Sequence, residues 1–486
     1  MTTKFKIYST LLICLLWTTG AFTVCGQLTG DELKDISKDI FISQINIKSA
    51  PGATTFVGDV YLSGGVIVEV GPNLTPRPEA RQIEGDSLYL YSAFINALSQ
   101  QGLPEEPDDV RRSAWRGAPG ATPLAQSGIT PQVHIRDKFE LTKGNMKSMH
   151  KQGIGMVHVV PKGFVMAGKG SVFSVREKDS YSSPLLLNET GMYAQFRNMM
   201  RVYPATPLAT MSIWRQLITD VRNQKEYSEH WLSKPAGLER PQLSEEYLAL
   251  FPVVEKEQPV FFNTSENKEI LRALQLSREL DFDIVLSNVS GISPEILSQL
   301  PKGIQILVNL DLPEHPHREK DSKKEKDEED DPEEEEDKDE ELVEETETEE
   351  AEDKKEEEEE IPPGMTEEEF KSLKESRINT YNERIKLSAA LYQKEMLAGF
   401  SFLDVDTKKT LSNVRELLDH GMSEDDLLAV LTTLPAKMLG IDGFTSTVEE
   451  GKQAQLVIFS KPFTEKEAEV RYIILDSELY KYKSGK

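Results

Sequence analysis

The sequence predicts an α/β fold on parallel strands, a barrel or a doubly wound sheet, with a smaller all-β part, and three observations carry that expectation. Strand-like runs QPVFF, DIVLS and IQILVN follow one another around Val260, Ile284 and Ile306, separated by the helical patterns NKEILRALQLSREL and SPEILSQL. A parallel pairing needs a crossover of about a dozen residues or more, which helices of this length supply. From Asp39 to Val70 the pattern changes to short runs, IFISQINIK, GDVYL and GGVIVEVG, punctuated by Gly58, Gly64, Gly65 and Gly71, as in a small all-β unit.

Taken in order, the chain opens with MTTKFKIYSTLLICLLWTTGAFTVCGQ, in which Lys4 and Lys6 precede an apolar stretch and small residues end at Gly26. That is the pattern of a secretory signal over residues 1–26, with a retained N-terminal anchor as the alternative. Cleavage after Gly26 removes Cys14 and Cys25, and a chain without cysteine suits an oxidising compartment, secreted or periplasmic. No other apolar run is long enough to span a membrane, so no span is expected after cleavage. After the first β unit, residues 27–90, comes YSAFINALSQ (Tyr91–Gln100), a buried strand, then a Pro/Gly-rich loop, a helical RDKFELTKGNMKSMHKQG and the strand GMVHVVP. Beyond the repeated strands, TEEEFKSLKESRINTYNERIKLSAALYQKEMLAG reads as a long helix, FSFLDV as a strand, and Ser423 with Asp426 as a capping box. The chain ends in three strands, AQLVIFS, EVRYIIL and ELYKY, expected to pair with the N-terminal β unit.

Charge is concentrated in one place. Asp321 to Glu360 holds 27 acidic and 6 basic residues, a net of −21 that leaves only −6 of the chain's −27 for everything else. Such a tract repels itself and has little apolar surface to bury, so residues 321–363 are read as a solvated, disordered insertion. No basic patch with interleaved aromatics occurs, which excludes a nucleic-acid surface of the usual kind. No G-x-S-x-G elbow, S-x-x-K or P-loop is present, and GFVMAGKGS lacks P-loop spacing.

The run LLAVLTTLPAKMLGIDGFTSTVEEGKQAQLVIFS resembles the closing segment of the amidohydrolase superfamily, through Leu434-Pro435-Ala436-Lys437, Leu439-Gly440 and Glu450-Gly451-Lys452. GDVYLSGGVIVEVGPNL is similar to that family's opening, and YSAFINALSQ falls where the family carries PGFIDxHxH. The resemblance implies a (β/α)8 barrel over residues 91–320 and 364–440. It also implies a small β-sandwich composed of residues 27–90 and 441–486.

The same resemblance locates the metal ligands, and at each position this sequence departs. The paired histidines of the first barrel strand are replaced by Leu98 and Gln100, and the preceding aspartate by Asn96. Leucine has no lone pair, and the glutamine oxygen is a weak neutral donor. The histidine ending the fifth strand corresponds to Asn263, and that of the sixth falls near Ser287 and Asn288. The aspartate after the last strand aligns with Asp406, beside Asp404, and the closing ADLV has Gln455 for its aspartate. His315 and His317 have chelating spacing, but on a Pro-broken loop entering the acidic tract. His158, alternating within GMVHVV, reads as a satisfied barrel histidine.

The functional expectation is therefore a relative of hydrolases of non-peptide C–N bonds that has lost its ligands, with no cofactor. It would be a pseudoenzyme acting as a noncatalytic subunit or binding module, as a homo-oligomer or beside an active relative. Gln100, Asn263 and Asn288 would line its degenerate site. One alternative is an active hydrolase with a single divalent metal such as zinc, held by a relocated set of His315, His317 and Asp406, with Asp406 as catalytic base. Another is an interaction protein acting through its acidic arm.

Overall fold

The computed structural model describes residues 32–104, 122–177, 183–199, 202–313, 365–403 and 405–483. The signal pattern, most of the Pro/Gly-rich loop, His315, His317, the acidic tract and Asp404 lie outside them. Among the described residues the fold is mixed α/β with three sheets.

The first sheet joins the two ends of the chain. Strands β1 (Glu32–Ile36), β2 (Asp39–Ile47), β3 (Phe56–Ser63), β4 (Val66–Gly71), β5 (Arg81–Glu84) and β6 (Tyr89–Ser92) are completed by β17 (Gln455–Phe459), β18 (Val470–Leu475) and β19 (Glu478–Tyr482). Their order is β1-β19-β18-β17-β6-β2-β3-β4, with β5 beside β2. Alternation buries Ile40, Ile42, Val60, Leu62, Leu456 and Ile458 in one cluster. The aspartate of GDV holds a turn of the backbone, since Asp59 is buried and its two carboxylate oxygens accept from the backbone N–H groups of Gln44 and Leu74, each at 2.8 Å. Gln44 has φ 53° at an irregularity of the β2–β3 ladder, so the carboxylate fixes a β-bulge.

The second and third sheets carry the central strands. The second is β11-β10-β8-β7, from β7 (Phe94–Ser99), β8 (Ile154–Val159), β10 (Ser171–Ser174) and β11 (Leu185–Leu187). The third is β16-β15-β14-β13-β12-β9, from β9 (Met166–Lys169), β12 (Met192–Gln195), β13 (Val260–Asn263), β14 (Ile284–Val289), β15 (Gln305–Asn309) and β16 (Leu397–Ser401). The pairings from β12 through β16, and of β7 with β8, are parallel, as the helical spacers predict.

One stretch departs from that pattern. Met166 to Ser174, broken only at Gly170, runs antiparallel to β12 through its first half and to β8 through its second. The link from β8 to β9 is only residues 160–165, too short for a parallel crossover, so the chain must turn back. The glycine-rich GFVMAGKGS is thus strand from Met166 to Lys169 and again at Ser171, and its last glycine is a packing device: a side chain at Gly170 would meet His158 Nε2 at 2.6 Å.

The α-helices among the described residues are α1 (Lys143–Lys151), α2 (Pro207–Ser233), α3 (Glu245–Val254), α4 (Asn267–Leu280), α5 (Pro294–Gln299), α6 (Glu367–Gln393), α7 (Thr410–Glu416), α8 (Glu424–Leu431) and α9 (Thr433–Leu439). The apolar face of α4, with Ile270, Ala273, Leu274 and Leu280, packs in the same cluster as the strand residues Phe262, Leu286 and Ile306. The opposite strand faces meet in a separate cluster of Ile95, Ala97, Met156, Tyr193, Phe261, Val285 and Leu307, closed off by Leu439 and Ile441. Capping boxes start α6 at Thr366 with Glu369 and α8 at Ser423 with Asp426. Replacing Ser423 by Ala is expected to lower the free energy of unfolding by about 1 kcal/mol, read from the urea midpoint, because the N–H of Asp426 loses its acceptor.

Candidate functional site

The C-terminal ends of the parallel strands bring together side chains separated by more than two hundred residues. Period-two alternation puts Tyr193, Phe261, Val285 and Leu307 on one inner face, and the residues two further along, Gln195, Asn263, Ser287 and Asn309, end that face in polar groups. Gln195 Oε1 accepts from Asn263 Nδ2 at 3.2 Å, and Gln195 Nε2 donates to the carbonyl of Gly163 at 2.7 Å. Asn263 stands opposite Ser287 across the β13–β14 ladder.

At the next position the backbone changes hand. Asn288 has φ 61°, in the left-handed region, where the β14–β15 register also shifts. The bulge lets two consecutive residues, Ser287 and Asn288, serve the same face. Asn288 Oδ1 accepts from Asn309 Nδ2 at 2.6 Å and from the buried hydroxyl of Ser401 at 3.0 Å. Asn309 Nδ2 also donates to the carbonyl of Leu403, and its Oδ1 accepts from the N–H of Asp311. The result is an arc of neutral polar side chains from β12 to β16. Within it the hydroxyl of Ser287 is fully buried and has no hydrogen-bond partner among the described residues.

The strand that opens the resemblance closes this arc without chemistry of its own. The Phe402 N–H donates to the Leu98 carbonyl at 2.9 Å, setting β7 beside β16. Leu98 is wholly buried in the inner apolar cluster. Asn96 accepts from the Leu98 N–H with Oδ1, and Gln100 donates through Nε2 to the carbonyl of Pro161 at 3.0 Å. Asp406 is exposed and caps the 3-10 turn at Thr407–Lys409, accepting from the N–H of Lys408 at 3.0 Å.

His158 lies lower on the same face, fully buried. Its Nδ1 is 2.8 Å from the carbonyl of Ala97, which requires the proton there, so Nε2 accepts from the hydroxyl of Thr190 at 2.7 Å. Burial holds its pKa down at about 4, against a weaker opposing effect of the Ala97 carbonyl.

A divalent transition metal does not fit this arrangement. Among the described residues no group of three or more His, Cys, Asp or Glu side chains is placed to share an ion. The amide oxygens of Gln195, Asn288, Asn309 and Asn96 are already acceptors in protein hydrogen bonds. The described residues of the arrangement can hold hydrogen-bonding groups, and among them stands neither a charged ligand nor a general base.

Comparison with solved structures gives the fold. An amidohydrolase from Thermotoga maritima MSB8 aligns with 90% of this chain and 98% of its own at a TM-score of 0.64 and 20% identity. The chain has an amidohydrolase fold. A prolidase complexed with N-methylphosphonate-L-proline aligns at a TM-score of 0.49 and 12% identity, covering 92% of this chain and all of its own. A molinate hydrolase aligns at 0.42 and 13%, covering 91% and 94%. No protein-family model matches the chain, and none of the curated proteins compared with it does.

Of the residues singled out in the sequence, Asn263, Ser287 and Asn288 come to one arc, Leu98 and Gln100 border it, and Asp406 faces solvent. Gln195, Asn309 and Ser401 were not singled out. Their signal is a single uncharged polar residue ending an apolar run, as in MYAQ, ILVN and LAGFS.

Proposed function

We propose that this protein is a noncatalytic member of the amidohydrolase superfamily, a subunit or binding module whose strand-end site has exchanged metal ligands for a self-bonded layer of amides and hydroxyls. The observation that carries the reading is Asn288: its side-chain oxygen, near a family ligand position, is saturated by Asn309 and Ser401. A position that once offered an electron pair to a metal now ties three strands together.

The reading includes a closed barrel. Stepping from neighbour to neighbour goes from Gly168 to Tyr193, Phe261, Val285 and Gln305, then through β16 and β7 to β8, and returns to the starting strand beyond Ser174. A return displaced by roughly eight residues is the stagger of an eight-stranded barrel. The export signal and an active relative as partner belong to the same proposal.

Elemental analysis of the protein purified without chelator or His-tag tests it, beside an Asp406→Ala, His315→Ala, His317→Ala variant. Zinc, manganese and iron are expected well below stoichiometric in both. Near-stoichiometric metal in the parent that disappears in the variant would overturn the reading in favour of a relocated hydrolytic site.

A further inference from the structure

The terminal sheet is joined to the central strands through a buried polar cluster that the site does not use. His150, on α1, is fully buried. Its Nε2 lies 2.6 Å from the carbonyl of Val175, just after β10, and so carries the proton, leaving Nδ1 to accept from the hydroxyl of Tyr482 on β19 at 2.6 Å. The ring of Tyr480 packs edge-on at 4.8 Å. Tyr480 donates to Glu478, whose other carboxylate oxygen is buried without a hydrogen-bond partner among the described residues. From β1, Lys34 pairs with Glu478 at 3.2 Å and with Glu177, beyond β10, at 3.0 Å. Lys143, on the helix of His150, reaches Glu177 at 3.6 Å, and Arg176 pairs with Asp476 at 2.9 Å.

We propose that this junction is an acid-operated latch: protonation inside the His150 cluster lets β19 and β1 separate together from α1 and the end of β10. Among the described residues of the sheet β1 pairs only with β19, which joins it to β18, so the two outermost strands can leave as a unit without parting the rest. Protonated Nδ1 can no longer accept from Tyr482, and the imidazolium is buried where no carboxylate bonds it directly. Burial outweighs the Val175 carbonyl and the charge of Glu478 and holds the imidazole at about 4. Lys34, then Lys143, keep the pKa of Glu177 below the ordinary carboxylate range, so acid weakens that bridge too. A histidine whose pKa is depressed in the closed state stabilises it fully above about 6.5 and progressively less as pH falls toward 4.

Hydrogen exchange of the full chain at pH 7 and pH 5, corrected for intrinsic rates, tests the latch. Segments 32–36 and 478–482 are expected to lose protection on the order of twentyfold at pH 5, and at both pH values to open together at a lower free energy than 260–263. His150→Gln keeps a donor and an acceptor without titrating, and is expected to remove the pH dependence. A single opening free energy shared by both regions, no loss in 32–36 and 478–482, or unchanged pH dependence of those two segments in His150→Gln would each overturn the proposal. If that variant does not fold, Tyr482→Phe, which strips the donor from Nδ1, is expected to move the opening to higher pH, and an unmoved midpoint would overturn it.

Discussion

Lowering the pH from 7 to 4 is expected to remove about 3 kcal/mol of unfolding free energy through His158 alone, the largest single acid effect expected within the central strands. The imidazole is held at about 4 in the fold, against about 6.5 in an unfolded chain, and each unit of difference corresponds to about 1.4 kcal/mol. The sign follows from which state binds the proton. Between pH 6.5 and 4 the unfolded chain takes up a proton that the folded chain refuses, so stability is complete above that window and falls through it. The structural cause is specific: protonation buries a positive charge beside the ring of Phe261 at 4.8 Å, and the Thr190 hydroxyl loses its acceptor at Nε2 and must turn to accept instead. Urea unfolding followed at pH 7, 6, 5 and 4 should show the midpoint dropping steadily. His158→Asn is expected to be less stable at pH 7, having lost ring packing, but to show a flatter pH dependence. An Asn variant that tracks the parent at every pH would remove His158 from the account.

The strands were legible because their signals are local. QPVFF, DIVLS and IQILVN are apolar on both faces, and the helical spacers between them leave only parallel pairing. The antiparallel return through Met166–Ser174 was not legible. It depends on the length of a connection whose ends can be placed only once β8 and β9 are known. Asn263 and Asn288 could be found through the resemblance, yet their environment could not, because the partners Gln195, Asn309 and Ser401 come from distant strands. Nor does the sequence reveal that Asn288 turns left-handed, which is what lets its amide join Asn309 and Ser401. Asp406 shows the converse. Its place after the last central strand suggested chemistry, while its neighbours Thr407 and Lys408 make it a turn cap, an ordinary use of aspartate.

Replacing Arg415 by Met is expected to cost about 3 kcal/mol, because one guanidinium donates to three main-chain carbonyls of a single turn. Arg415, on α7, donates through Nε to the carbonyl of Phe463 at 2.9 Å, through Nη1 to Lys466 at 3.0 Å and through Nη2 to Ala468 at 3.0 Å. These carbonyls belong to the turn between β17 and β18, so the fork pins the terminal sheet to a helix that follows the last central strand. The turn in turn delivers Phe463, fully buried, edge-on to Tyr91 and Phe94, each with ring centres 5.3 Å apart. Losing the fork therefore frees polar groups and loosens an aromatic cluster together. Arg415→Lys is expected to recover less than half of the loss, since an ammonium is a point donor and cannot span three carbonyls in one plane. Arg136→Met, whose pairing partner Asp137 is largely exposed, is the control and should move the urea midpoint little. A loss in Arg415→Met no larger than in Arg136→Met would mean that water satisfies the three carbonyls. The junction would then rest on the packing of Phe459, Phe463 and Tyr91 alone.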